Sequence, residues 1–340
     1  MSTREHRLLT TLRTETDQGW TAATEFLQPP TSSLARWVCS VAVRARGAEA
    51  VIVRGTSGSQ EQYRDLLAAA AIRLIARRTR VVVSDATIEP GSRGFGAHGS
   101  RRRLVRVLSR LLIRLIDSPR VTWCVLSTAE VERFPRTWGI RHGQVVFTPF
   151  LHTLWRGEST RHVATGCHLF SGGNSLRDYD LLATATAGLD VPVVVASSSW
   201  QPDPVPSGVQ LAAMSHEEFV RSMASSRAVV LCLQPAPRST GQQTYLNAMA
   251  LGRPTLVTDS DGVRDHIEDG ITGVVMTPTV AGVRAAVSDV LNPDRAGHYA
   301  RMGRRARDAV LRHHTGEEYR RRLVEVARGR TRSPVPPTPS

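Results

Sequence analysis

The sequence predicts an α/β fold made of two parallel-sheet domains, and three observations predict it. Short apolar runs rich in branched residues, the pattern of strands buried on both faces, alternate with longer helical stretches. From Val229 to Thr258 the chain gives a strand, a loop with Gly241, a helix closed by Gly252 and Pro254, and another strand, in the order of a βαβ unit. A length of 340 residues suits about two domains of roughly 100–200 residues each.

In order, residues 1–30 are polar and mixed, end on Pro29-Pro30, and read as a short helix and a break. Leu34 to Arg46 reads as a helix, Ala50 to Arg54 as a strand, and Tyr63 to Arg77 as an Ala- and Leu-rich helix. The apolar strand from Arg80 ends in Ser84 and Asp85, which places both at the carboxyl edge of a sheet, where ligand sites lie. An aspartate that only caps the next turn is the equal alternative. Ile88 to Ser100, rich in Gly and Pro, reads as a mobile loop. In Arg101 to Asp117, Arg103, Arg106, Arg110 and Arg114 share one helical face, and Leu104, Leu108, Leu111 and Leu115 share another. The leucines are expected to cover the sheet, and the arginines could meet an anionic membrane. Val121 to Ser127 is a strand, Ser127 or Thr128 caps the next helix, and Gln144 to Thr148 is the last strand of a domain over 1–150.

Residues 151–166 read as a polar linker and 167–330 as the second domain. Its strands are expected at Cys167 to Ser171, Val191 to Val195, Val209 to Leu211, Val229 to Leu233, Thr255 to Thr258 and Val274 to Met276. Helices follow at Ser215 to Ser225, Gln243 to Leu251, Val280 to Leu291, His298 to His314 and Glu317 to Arg328. The Pro-rich tail 331–340 is expected to be disordered.

Two loops of this second domain suit phosphate. In the first, Gly172 and Gly173 let the backbone approach a ligand, Asn174 follows, and Arg177 offers a fixed cation. In the second, Thr240 and Gly241 lead into a helix start whose free N–H groups and positive dipole end attract an anion. Gln242, Gln243 and Thr244 add donors to phosphate oxygens. Two such loops suit a nucleotide diphosphate better than a single phosphate.

Other classes find little support. The net charge of +14 invites a nucleic-acid partner, but all 44 basic residues are arginine, as codon bias would give. No zinc-finger spacing or aromatic-studded basic motif accompanies the charge, so no nucleic acid is expected. Four scattered cysteines suit a reducing cytoplasm and have no metal-ligand spacing. No apolar run reaches the roughly 18–20 residues of a membrane span, and the amino terminus lacks a signal-peptide core. No catalytic-triad order, P-loop or GxGxxG fingerprint is present.

The segments Asn247-Ala-Met-Ala-Leu-Gly-Arg-Pro254 and Gly262 to Gly273 resemble the carboxyl-terminal domain of GT-B glycosyltransferases, chiefly the retaining family 4. The resemblance implies two Rossmann-like domains facing a cleft, with the carboxyl-terminal helix crossing back to the first. It implies transfer of a hexosyl-type sugar from a nucleotide-sugar to an acceptor, without metal or other cofactor. The family carries two glutamates eight positions apart that hold the donor's sugar and ribose hydroxyls. Ser239 and Asn247 stand in their places here, so Ser239 falls near the sugar and the amide of Asn247 near the ribose. The family's "GR…K" loop has Gly173 in place of its arginine and Arg177 one residue out of register with its lysine. Asp85 and Ser239 are thus the candidate catalytic positions. A noncatalytic GT-B-like partner of an active transferase is the alternative that the missing glutamates favour.

Overall fold

The computed structural model describes residues 7–13, 17–29, 33–55, 60–88, 100–160, 163–236 and 238–330. The mobile loop expected at Ile88 to Ser100 lies mostly outside these residues, as does the tail 331–340. The chain forms two compact units, one holding the residues up to Thr148 and taking back the chain from Glu317, the other running from Pro149 to Gly316.

In the first unit the elements are β1 (Leu8–Thr10), α1 (Gln18–Ala23), β2 (Thr24–Phe26), α2 (Leu34–Arg44), β3 (Ala50–Arg54), α3 (Gln60–Ile75), β4 (Arg80–Ser84), α4 (Ser100–Ile116), β5 (Val121–Val125), α5 (Thr128–Trp138) and β6 (Gln144–Phe147). The six strands are parallel, in the order β2-β1-β3-β4-β5-β6. Consecutive residues Val51, Ile52 and Val53 are all fully buried, so both faces of the sheet are covered and the strand needs no polar alternation. Each such aliphatic side chain contributes about 1.5–3 kcal/mol by leaving water. Ser127 is the cap of α5, accepting from the N–H of Glu130 at 3.2 Å, and Gly139 ends that helix at φ 75°.

Two expectations are corrected here. Residues 1–30 hold more than a helix and a break, because β1 and β2 flank α1 and β1 sits beside β3 inside the sheet. The leucine stripe of α4 does not cover the sheet. Leu104, Leu108, Leu111 and Leu115 are each more than half exposed, at 57, 55, 55 and 51%. The opposite stripe faces inward, with Ser109, Ile113 and Ile116 buried and Leu112 packed against the core.

In the second unit the elements are β7 (Leu169–Gly172), α6 (Tyr179–Thr186), β8 (Val193–Ala196), β9 (Val209–Ala212), α7 (His216–Ser225), β10 (Ala228–Leu231), α8 (Gln242–Ala250), β11 (Thr255–Thr258), β12 (Val274–Met276), α9 (Val280–Leu291) and α10 (Ala296–His313). Its six parallel strands run β12-β11-β10-β7-β8-β9. Tyr245 and Met249 of α8 are fully buried against Phe170, Leu231 and Val257 in its core. A capping box of Ser215 and Glu218 starts α7.

The segment 151–166, expected as a linker, is tied to this unit. The N–H of His152 donates to the carbonyl of His314 at 2.8 Å, and the His314 ring bonds the carbonyl of Phe150 at 2.7 Å. From there α11 (Gly316–Ala327) returns to the first unit. It buries Tyr319, Leu323 and Ala327, and Arg320 Nε donates to Asp17 Oδ2 at 2.5 Å.

Candidate functional site

From β7 the chain moves to β8 and β9 on one side of the second sheet, and β10 opens the other side next to β7. The topological switch point therefore lies between β7 and β10, and the crevice at the carboxyl ends of such strands is where open α/β sheets take ligands. Both expected phosphate loops leave from these two strands. The end of β7 and the loop after it carry Gly172 to Arg177, and the loop after β10 with the first turn of α8 carries Thr240 to Thr244.

Arg177 joins the two loops. Its Nε donates to the Gly172 carbonyl at 3.0 Å and its Nη1 to the Ser175 carbonyl at 2.7 Å. Nη1 also reaches Thr240 Oγ1 at 3.4 Å, and Nη2 donates to Thr244 Oγ1 at 3.1 Å. These acceptors are all neutral, and no carboxylate pairs with Arg177 among the described residues. Burial lowers the pKa of the guanidinium; Tyr179 opposes this and Arg238 adds to it. An arginine does not give up its proton in a protein, so an incoming anion is what relieves this unpaired charge.

Backbone geometry fits the role. Gly173 adopts φ +116°, which favours glycine, and a Cβ there would lie 2.7 Å from Nη2 of Arg177. Leu176 also holds a positive φ of 55°, and the N–H of Gln234 donates to its carbonyl at 3.0 Å. The loop is thus pinned across the switch point.

The start of α8 supplies the second half. Its cap is Gly241 at φ 88° with no side-chain capping bond, and the backbone N–H groups of Gln242 and Gln243 find no partner among the described residues. Gln242 is 5% exposed, and its Nε2 is buried without a hydrogen-bond partner. Unspent donors, a positive helix end and an unpaired guanidinium lie together here.

Sequence reasoning missed Arg238. Its Nη2 donates to Ser175 Oγ at 2.9 Å and its Nη1 to the Ser239 carbonyl at 3.1 Å, so two guanidinium groups meet on Ser175. Its only signal in the sequence was an arginine standing two positions before Thr240, where the loop counted as phosphate-binding begins.

The remaining expected residues are placed as follows. Asn174 turns its Oδ1 to Ser197 Oγ and the N–H of Ser198, at 2.9 and 2.8 Å, bracing the loop after β8. Ser239 is 1% exposed. Asn247 is 3% exposed and lies in the second turn of α8. Its Oδ1 accepts from the N–H of Thr153 at 2.7 Å and its Nδ2 donates to Thr153 Oγ1 at 3.1 Å. Two of the amide's four hydrogen-bonding positions are therefore spent on the protein itself. In the first unit Asp85 follows β4 at φ 50°, and Ser84 Oγ donates to the Val53 carbonyl at 3.0 Å. The hydroxyl of Tyr319 is pushed well above its ordinary pKa, by burial first and by nearby Asp85 second. Among the described residues no group of three His, Cys, Asp or Glu side chains could hold a metal ion.

Residues 177–326 match the family described as Glycosyl transferase-like. No curated protein matches the chain by sequence. Among solved structures, HepE of Anabaena in complex with UDP and glucose is 14% identical with a TM-score of 0.61, covering 94% of this chain and 98% of its own. A glycosyltransferase of Rickettsia africae is 10% identical with a TM-score of 0.61, covering 95% of this chain and 89% of its own. Sucrose-phosphate synthase of Thermosynechococcus elongatus is 13% identical with a TM-score of 0.57, covering 90% of this chain and 82% of its own. Over residues 177–326 the sequence is thus similar to a glycosyl transferase-like domain, and the two six-stranded parallel sheets are those of the GT-B glycosyltransferase fold.

Proposed function

We propose that the chain transfers a sugar from a nucleotide-sugar donor to an acceptor, with the donor's diphosphate held at the switch point of the second unit. The observation that carries this reading is Arg177, an arginine with no carboxylate partner among the described residues, placed beside the uncapped start of α8. HepE, of the same fold, was solved with UDP-glucose, which supports a uridine diphosphate donor.

In this reading the charge of Arg177 and Arg238 and the free N–H groups of Gln242 and Gln243 face the phosphates. Four of the five N–H groups of Arg177 are already used inside the loops, so it acts mainly as a fixed charge behind them. Arg238 and the helix start make the direct contacts. As the bond from the sugar to the diphosphate breaks, negative charge grows on the leaving group, and donors already in place lower the barrier. Gly172 leaves room for the Phe219 ring and Gly173 for the Arg177 guanidinium, which keeps that charge at the loop. Ser239 serves the sugar, and Asp85 serves the acceptor side. The transfer is of a hexosyl type with retention, as the family 4 resemblance implies, and it takes place in the cytoplasm, in keeping with four unpaired cysteines.

Calorimetric titration with UDP and GDP, followed by a donor screen for transfer or donor hydrolysis, tests the reading. Binding with turnover is expected. Binding without either reaction would make the chain a noncatalytic partner, and no binding of any nucleotide diphosphate would refute the site.

A further inference from the structure

Twelve large apolar side chains stand exposed among the described residues, and they are unevenly distributed. Leu34 and Val43 lie on α2, Leu67 and Leu74 on α3, and Leu104, Val107, Leu108, Leu111 and Leu115 on α4. Nine of the twelve thus belong to three consecutive helices of the first unit. These helices form one layer. Arg64 of α3 lies over the Trp37 ring of α2 at 5.2 Å, Tyr63 of α3 meets Ser109 of α4 at 3.1 Å, and Arg110 of α4 donates to the Thr137 carbonyl of α5 at 3.2 Å. The strands they connect step one way across the sheet, so right-handed crossovers put α3, α4 and α5 on the same face.

The outer surface of this layer is also basic. Arg36 of α2, Arg106, Arg110 and Arg114 of α4, and Arg136 of α5 are exposed. Glu132 is the one exposed acid among the described side chains of these four helices, since Asp65 and Glu130 are buried. On α4 the exposed leucines recur at spacings of four, three and four, and the arginines at four, so an apolar stripe runs beside a cationic row. An apolar patch of this extent on a soluble face marks an interaction site.

We propose that this helical layer docks the first unit on an anionic lipid bilayer, with the α4 leucines entering the acyl boundary and the arginines meeting lipid phosphates. Charge selects the occupant. A second copy related by a two-fold axis would set arginine rows against each other with almost no exposed acid to balance them. A bilayer with acidic headgroups offers both the apolar interior and the opposite charge. No helix among the described residues is long and apolar enough to cross a membrane, so the contact lies in the plane of the surface. This inference stands apart from the donor site.

Co-sedimentation with phosphatidylcholine vesicles, with and without phosphatidylglycerol, tests it on the full chain. Wild type should bind the anionic vesicles and release as salt rises. The Leu104→Gln, Leu108→Gln, Leu111→Gln, Leu115→Gln variant, changed only at exposed positions, should lose on the order of tenfold in binding. The Arg106→Gln change should lose on the order of fivefold, and the Leu108→Gln change alone should already weaken binding, with melting curves confirming both folds. Equal binding to the two vesicles, binding to neither, or undiminished binding by the leucine variant overturns the proposal. So does a dimer of the wild type that the leucine changes abolish in the absence of vesicle binding, which would assign the face to a second copy. UDP titration should be unchanged in all variants, so the docking face and the donor site fail separately.

Discussion

Arg177 occupies the space that a side chain at position 173 would need, since a Cβ on Gly173 would come 2.7 Å from its Nη2 and 3.1 Å from its Cζ. Glycine at 173 and arginine at 177 therefore form one device, because the first leaves room for the second. Tyr179 completes it by donating its hydroxyl to the Gly173 carbonyl at 2.5 Å.

Replacing Arg177 should cost donor affinity. Arg177→Ala removes the fixed charge behind the loops together with the bonds that hold Thr240 and Thr244, a loss on the order of the 1.5–3 kcal/mol of a charge-assisted bond, so UDP binding should weaken by about ten- to a hundredfold. Arg177→Lys keeps the charge but loses the planar fork that holds Thr240 and Thr244 together, so it should fall between. Titration calorimetry gives the ranking, and equal affinity of wild type and Arg177→Ala removes the residue from the site.

Asn247 should behave as a clamp. Both of its amide atoms bind Thr153, and it is 3% exposed, so Asn247→Leu leaves the Thr153 N–H without its acceptor in a half-buried setting. A loss of about 1–3 kcal/mol in stability is expected, read from denaturant unfolding. UDP affinity of the folded variant should change far less. If stability holds and affinity collapses, the amide serves the ribose after all.

How much of this was readable in the sequence depends on the range of the interactions involved. The strands at β3, β4 and β11 and the helix α9 carry their period within a few residues, and their bounds follow from it. Leu8-Leu9-Thr10 is too short a run to announce a strand, and only its neighbours β2 and β3 make it one. Helix α4 carries two apolar stripes, and period alone does not say which meets the sheet. The choice is made by Ser109, whose hydroxyl finds Tyr63, and by Ile113 and Ile116. The partner of Asn247 lies 94 residues away, so the motif position was legible and its bonding was not.

The four cysteines should divide into two pairs by reactivity. Cys39 and Cys167 are exposed, whereas Cys124 and Cys232 are buried, and burial pushes the thiol of each of the latter up to about 12. The thiolate is the reactive form, so neither buried thiol should react at neutral pH. Titration of the native protein with an aromatic disulfide reagent should report two thiols, and four after unfolding in denaturant. Four in the native state would mean that one of the cores opens on the timescale of the reaction.

The last prediction concerns how α11 is held on the first unit. Burial by itself would raise the pKa of Asp17, but the bond from Arg320 and the N–H of Trp20 more than offset it, so the carboxyl sits below its ordinary 3.8. Asp17 is thus charged more readily in the folded protein than in the unfolded chain. A depressed carboxylate contributes stability that is fully present above its unfolded pKa and is lost as pH falls through the folded value. The grip of α11 should therefore hold at neutral pH and loosen only below about 3.8, as Asp17 takes up a proton. The Arg320 guanidinium then lies partly buried beside a neutral acid, which is unfavourable. The protection factors of the α11 amides, which take out the slower intrinsic exchange in acid, should fall on acidification below about 3.8 in wild type. In Asp17→Asn, which cannot ionise, exchange should be faster at neutral pH and should lack that step. A wild-type profile that stays flat through the acid range, with Asp17→Asn indistinguishable from it at neutral pH, would leave the Leu323 and Ala327 packing as the whole hold on α11.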